Sequence, residues 1–354
     1  MRSGDMKGRA KKQRNLFLRN AVLVFLIICL FLTYLANDFK TELSEWTRFE
    51  NETLLREETD ASLGNVEYLD LRMGHSRVLK NKNSKALDGT SNFNISSITR
   101  KLPNAIIIGV KKCGTRALLE YLRLHPNIKA AGPEPHFFDR YYHMGLEWYR
   151  QKMPRSGVDQ LTIEKTPRYF VTEVVPERIY NMSKTIKLIL VVRNPVTRAL
   201  SDFTQAVSKG EYNSSVTFQS RAIRRDGAIN IKWSAVNIGL YAYHLKRWLD
   251  IFPLESIHVV DGENLIRNPV QELNVVQNFL GIDIQIPAEI IYMNATKGFP
   301  CILQQQKTPP FRCFRSSKGR QHSYADKKTL TLLRNFYEPY NIDFYRMIKR
   351  QFFW

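Results

Sequence analysis

The chain has 354 residues, of which 44% are hydrophobic, and it carries a formal net charge of +20. That apolar content excludes wholesale disorder, and the length suffices for one large domain of about 250 residues plus accessory segments. A field of that size favours polyanionic partners (nucleic acid, acidic lipid or sulfated polysaccharide) without choosing among them, and a basic protein with no such partner stays open.

Residues 1–19 form a basic tail with Arg2, Lys7, Arg9, Lys11, Lys12, Arg14 and Arg19. An uncharged apolar run follows, and residues 20–36 are read as a membrane-spanning signal-anchor. The run is short against the ~20 residues that a spanning helix needs. The positive flank comes first, so the tail should stay cytosolic and the rest luminal. A cleaved signal peptide is the rival reading, and Tyr34-Leu35-Ala36 fits its small-residue cleavage pattern poorly. Residues 37–100 are polar and mixed in charge, which suits a luminal stem. Sequons at Asn51, Asn94, Asn181, Asn213 and Asn294 support luminal glycosylation.

Residues 101–354 have the texture of one catalytic domain. Asn104 to Gly109 is a short β-branched run and reads as a buried strand, followed by a loop and an amphipathic helix over Thr115 to Leu124. Lys187 to Val192 is a second buried strand, with a helix through Thr197, Leu200 and Phe203. Ile257 to Val260 is a third, with a helix over Val270 to Leu280. This alternation predicts an α/β fold, a P-loop-like parallel sheet flanked by helices. Ligands of such sheets bind beyond the carboxyl ends of the strands. Cys301 and Cys313 lie close together and read as a local disulfide in an oxidising lumen. Further ligands at zinc spacing are missing beside them. Trp148, Trp233 and Trp248 sit among apolar neighbours and read as core.

The first strand runs into Gly109-Val110-Lys111-Lys112-Cys113-Gly114-Thr115-Arg116. The two glycines permit tight turns, and backbone N–H groups at the helix start would face an anion. Lys112 adds a point charge and Thr115 a hydroxyl. The Gly-x4-Gly spacing equals that of an ATP-binding loop, which would continue with Lys-Ser/Thr; here Thr115-Arg116 follows. A nucleotide kinase or ATPase is therefore one alternative, and an ordinary strand-to-helix turn another. A kinase would end the second strand with a metal-holding Asp, whereas this one ends at Arg193, which binds anions directly. Ser201, two helical turns on, would help hold the same group. Two anion sites suit a nucleotide with both 5′ and 3′ phosphates. Val260-Asp261 is the one strand end that imitates a metal site.

With these residues in view, the sequence resembles the sulfotransferases, and more narrowly the heparan sulfate glucosamine 3-O-sulfotransferases. The segments that carry the resemblance are GVKKCGTRALLEYLRLHP, EPHFFDR (Glu134 to Arg140), EKTPRYF (Glu164 to Phe170), VVRNPVTRALSDFTQ, KGFPC and SKGRQH. EPHFFDR, KGFPC and Lys209 resemble the type 3 subgroup, which acts next to 2-O-sulfated iduronate. The resemblance implies the sulfotransferase fold and transfer of a sulfuryl group from PAPS to a glucosamine 3-hydroxyl without any metal. It also implies Golgi residence.

By the same resemblance, Glu134 is the general base, helped by Lys112, His136, Asp139 and Lys165. Lys112, Cys113, Gly114, Thr115, Arg116, Arg193 and Ser201 hold the donor, and Lys318, Gly319, Arg320, Gln321 and His322 close over it. Glu134, Pro135, His136, Phe137, Phe138, Asp139, Arg140, Lys165, Thr166, Pro167, Arg168, Gln205 and Lys209 line the acceptor groove. Three positions depart from the usual family pattern: Cys113 for a glycine, Asn194 for Asp, and Arg168 for Ser or Ala. The expected partners are heparan sulfate, PAPS and a membrane, with no nucleic acid. A non-catalytic polyanion-binding protein is the remaining alternative.

Overall fold

A computed structural model describes residues 98–354 except 214, 297, 304–310 and 314–320. The basic tail, the apolar run, most of the stem, Asn51, Asn94, Lys318, Gly319 and Arg320 lie outside the described residues. No helix among the described residues is long and apolar enough to cross a membrane.

Five parallel strands form the central sheet: β1 (Ala105–Gly109), β2 (Ile128–Ala130), β3 (Leu161–Lys165), β4 (Lys187–Val192) and β5 (Ile257–Asp261). Their spatial order is β2-β3-β1-β4-β5, with β1 at the centre. Every residue of β1 is buried, and so are the last five of β4. Such continuous apolar runs are what a parallel sheet covered on both faces requires. Three strands match the sequence expectation to within a residue. β2 and β3 were not among the strands read from the sequence, because three residues at Ile128 and the charged Glu164-Lys165 end of β3 give no apolar run.

The main helices are α1 (Thr115–Leu122), α2 (Gly145–Gln151), α3 (Val175–Met182), α4 (Pro195–Ser208), α5 (Tyr241–Leu249), α6 (Pro269–Leu280) and α7 (Lys327–Ile348). Their starts are written in the sequence. The Asn194 side chain accepts from the N–H groups of Val196 and Thr197, with Pro195 opening α4. Asn268 and Pro269 do the same for α6, which ends on Gly281 in the left-handed region. Asparagine caps and first-turn prolines each satisfy or remove a donor that the helix cannot use.

The sheet core merges with Tyr241, Leu245, Trp248 and Phe252. A second apolar cluster, with Phe203, Phe218, Trp233, Leu333 and Tyr337, joins α4 to α7. Trp248 is fully buried and its indole N–H donates to the Phe170 carbonyl at 3.0 Å. Trp233 is buried as well, and the half-buried Trp148 packs beside Phe137 and Tyr141. Cys301, in the middle strand (Phe299–Leu303) of a small antiparallel sheet, forms the expected disulfide with Cys313, one residue beyond the neighbouring strand Phe311–Arg312. Asn181 and Asn213 are exposed, and Asn294 is half-buried with its amide against the Cys313 sulfur.

Glycine is required where the strand ends crowd. A Cβ on Gly262 would lie 2.5 Å from the Cys113 carbonyl oxygen and 2.7 Å from that of Val192. The bare backbone there lets β5 close against both the first loop and the end of β4.

Replacing Trp248 with Ala removes a large ring and a hydrogen bond that ties α5 to the loop after β3. The expected loss is about 3–5 kcal/mol, measured as a lower urea midpoint by tryptophan-independent circular dichroism.

Candidate active site

The carboxyl ends of the five strands supply the site. Four of them carry a charged group from the sequence expectation: Glu134 follows β2, Lys165 ends β3, Lys112 follows β1 and Arg193 follows β4. Glu134 therefore follows a strand, and not directly the helix that begins at the first loop, because β2 intervenes.

Lys165 and Glu134 make a direct ion pair through Nζ and Oε1. The other Glu134 oxygen faces His136 Nε2 at 3.4 Å, and His136 Nδ1 faces Asp139 Oδ2 at 3.0 Å. Arg168 Nε completes the row at 3.6 Å from Asp139 Oδ2. The row alternates in sign: cation, anion, cation, anion, cation. Lys165 is 5% exposed and Asp139 is nearly buried, whereas Glu134 keeps 36% of its exposure. The base candidate is thus the member of the pair that an incoming hydroxyl can reach.

Burial alone would raise the Glu134 carboxyl, but the hydrogen bond from His136 and the charge of Lys165 outweigh it and hold it down at about 2. Burial alone would lower His136; its bonds to Asp139 and Glu134 raise it instead, to about 9. Lys165 is lowered, chiefly by burial. Near neutral pH the row is therefore Glu134 carboxylate beside His136 imidazolium. His136 contributes its stabilisation fully below its ordinary value of 6.5 and loses it as pH climbs through about 9. Glu134 contributes above 4.5 and loses it as pH falls toward about 2.

The loop after β1 is a second centre. Lys112 takes a left-handed φ of 75° and Gly114 one of 104°. Gly114 starts α1 with no side-chain cap, and the first turn holds no acidic residue. Uncapped N–H groups at an open glycine turn are suited to a phosphate. Lys112 Nζ donates to Gln205 Oε1 at 2.7 Å, which ties the loop to α4, the helix that also carries Ser201. The half-exposed Arg116 pairs with Glu120 at 2.8 Å and its charge is felt by Lys165, so the two centres are electrostatic neighbours.

Arg193 is paired with Glu263, whose Oε2 lies 3.2 Å from Nη2. Glu263 Oε1 also accepts from Asn194 N at 3.3 Å. Asp261, the strand end that imitates a metal ligand, spends its Oδ1 on the N–H groups of Glu263 and Asn264. His322 is exposed in the structure, and partial burial followed by the charges of Arg193 and Lys112 lowers its imidazole. Gln321 beside it and Lys209 at the end of α4 are exposed.

Several expected contact residues have buried side chains. The rings of Phe137 and Phe138 are fully buried in an aromatic cluster with Tyr149. Pro135 and Pro167 are buried, and Thr166 is fully buried with its hydroxyl on Glu164. Arg140 is exposed. The Cys113 thiol points into the core, 3.6 Å from the Tyr241 hydroxyl, and burial pushes it up to about 11. Only its backbone borders the loop. Its φ is not left-handed, so the side chain imposes no strain where a glycine is usual. Sequence reasoning missed Glu263, Glu164 and Tyr169. Glu263 stood two residues beyond a strand end already singled out, and the other two lay inside the EKTPRYF segment.

A family model described as "Sulfotransferase domain" matches residues 102–338. The chain is 50% identical to mouse heparan sulfate glucosamine 3-O-sulfotransferase 3A1 over 77% of this chain and 69% of that protein. It is 50% identical to the human 3B1 enzyme over 75% of this chain and 68% of that protein. The human heparan sulfate glucosamine 3-O-sulfotransferase 5 shares 45% over 73% of this chain and 76% of that one. Among solved structures, a sulfotransferase from Alicyclobacillus acidocaldarius superposes with a TM-score of 0.55 at 21% identity, covering 71% of this chain and 98% of that chain.

The charge row makes its own prediction. In a pH titration followed by imidazole NMR, His136 should lose its proton near pH 9. Replacing Asp139 with Asn should bring that midpoint down by about one unit or more. A midpoint at the ordinary value of 6.5 in the wild type would contradict the pairing.

Proposed function

The chain belongs to the sulfotransferase-domain family and, within it, to the heparan sulfate glucosamine 3-O-sulfotransferases; on that premise we propose that it transfers a sulfuryl group from PAPS to the 3-hydroxyl of a glucosamine in heparan sulfate. The observation that carries the assignment of roles is the seat of Glu134: an ionised, solvent-reachable carboxylate between Lys165 and His136, next to an uncapped anion-binding loop.

PAPS supplies the sulfuryl group and leaves as PAP. The loop from Gly109 to Arg116, with its left-handed Lys112 and Gly114, suits the 5′ phosphosulfate. Arg193 and Ser201 suit the 3′ phosphate, and Gln321 and His322 the flank of the nucleotide. Arg193 must then exchange Glu263 for phosphate, or share its remaining N–H groups between them. Lys318, Gly319 and Arg320 are proposed to complete that cover. No metal ion is assigned a role.

Glu134 takes the proton of the acceptor hydroxyl. At about 2 its carboxyl is a poor base while Lys165 and His136 hold it. Basicity rises as Lys165 turns toward the negative charge of the transferring group, so one cation first protects the base and then serves the transition state. His136 stays protonated and orients the carboxylate, and Asp139 orients His136. Arg168, Gln205, Arg140 and Lys209 give the groove cations and a hydrogen-bonding amide for sulfate and carboxylate groups. The type 3 subgroup, acting beside 2-O-sulfated iduronate, is the proposed acceptor preference. A Golgi location, anchored through residues 20–36 with the catalytic domain luminal, is proposed from the apolar run and the sequons.

Replacing Glu134 with Gln should lower sulfate transfer from labelled PAPS to heparan sulfate by about a hundredfold or more. Protection of the variant by PAP against thermal unfolding should stay at the wild-type level. Near wild-type turnover in the folded variant would remove Glu134 from the role.

A further inference from the structure

His136 lies in the left-handed backbone region, with φ 49°. A non-glycine residue persists there only when its surroundings over-determine it. Directly after it comes a π-helical turn, Phe137–Tyr141, in which the Arg140 and Tyr141 N–H groups both donate back to the His136 carbonyl. At the start of that turn the Phe137 and Phe138 N–H groups need acceptors of their own. Both find the same atom: the Tyr169 hydroxyl oxygen accepts from Phe137 N at 2.9 Å and from Phe138 N at 3.3 Å.

Tyr169 is fully buried and comes from the segment after β3, an element separate from the turn it supports. The carboxyl of Glu164, on the strand before it, is close enough for its charge to act on Tyr169. Glu164, also without exposure, receives the Tyr149 hydroxyl at 2.9 Å and the Thr166 hydroxyl at 2.9 Å, and burial raises its carboxyl to about 7. A buried carboxyl held by two buried hydroxyl groups makes a rigid backing for the segment that carries Tyr169, since each loses a partner if any one moves.

We propose that Tyr169 is a positioning residue for the proton transfer: it caps the turn that follows His136 and thereby fixes the His136 ring between Glu134 and Asp139. The strand that holds Glu164 inward presents its next residue, Lys165, to Glu134. The segment from Lys165 to Tyr169 thus supplies one neighbour of the base, Lys165, and supports the other, His136, through the capped turn. Arg178 also steadies the turn by donating to the Phe138 carbonyl at 2.7 Å, but it touches neither N–H group. The charged groups facing His136 are Glu134, Asp139 and Arg140, with Glu164 behind. None of them reproduces an acceptor at the start of the turn.

The inference rests on Glu134 being the base, and its test separates the two. Tyr169→Phe keeps the ring and removes the acceptor. The expected result is a kcat lower by about tenfold or more with the KM for PAPS unchanged. The His136 imidazole titration should also move down from about 9, because the ring drifts from its carboxylates. A folded variant with wild-type kcat, or one with lower kcat but an unmoved His136 titration, overturns the positioning role. If the variant does not fold, 3,5-difluorotyrosine at position 169 keeps size and weakens the acceptor. A graded fall in kcat with a shifted His136 midpoint then supports the proposal, and no change overturns it. Failure of the base reading shows separately, as unimpaired transfer by Glu134→Gln while the His136 titration still responds to Tyr169.

Discussion

The alternating row of charges from Lys165 through Glu134, His136 and Asp139 to Arg168 is the constraint on which the rest of the site depends. Each carboxylate in it has a cation on either side, and the inner cation has a carboxylate on either side. Lone buried charges would be costly to hold near an apolar core; in a row each neutralises its neighbour. The arrangement keeps Glu134 ionised and His136 protonated across neutral pH, which fixes what each can do. An ionised Glu134 can only accept a proton. A protonated His136 can only donate hydrogen bonds, so it orients and does not compete for the substrate proton.

The sheet makes this row possible because parallel strands deliver all their functional ends to one edge. β3 contributes the cation that touches the base, β1 the phosphate-type loop and β4 the arginine of the second anion site. Close backbone approach at Gly262 brings the β1 loop, β4 and β5 together. The hydrogen bond from Lys112 to Gln205 links the first loop to α4, so donor-facing and acceptor-facing groups share one helix. Arg193 carries its own counter-ion in Glu263, which holds the guanidinium in place at the cost of competing with an incoming phosphate.

Much of this was legible in the chain. β4 is a run of six residues with five of them buried, and its helix announces itself with Asn194-Pro195. The disulfide followed from two nearby cysteines. Lys112 and Arg193 were legible because anion chemistry needs few residue types, whereas Glu134 and Lys165 came from the family resemblance. What escaped had physical reasons. β2 has three residues and no apolar periodicity. Phe137 and Phe138 read as groove residues because they sit between Glu134 and Asp139, yet a π-helical turn swings both rings inward. Glu164 and Tyr169 look like surface polar groups in sequence, and only the tertiary fold shows a buried carboxyl accepting from two hydroxyls and a buried hydroxyl accepting from two N–H groups. Glu263 is invisible for the same reason: its meaning is the arginine seventy positions earlier.

The most direct test is a structure of the protein bound to PAP and a heparan sulfate oligosaccharide. The account predicts the Glu134 carboxylate within about 3 Å of the glucosamine 3-hydroxyl, with Lys165 swung toward the donor and His136 still bridging to Asp139. A sugar hydroxyl lying elsewhere, with Lys165 and Glu134 still closed on each other, would contradict it.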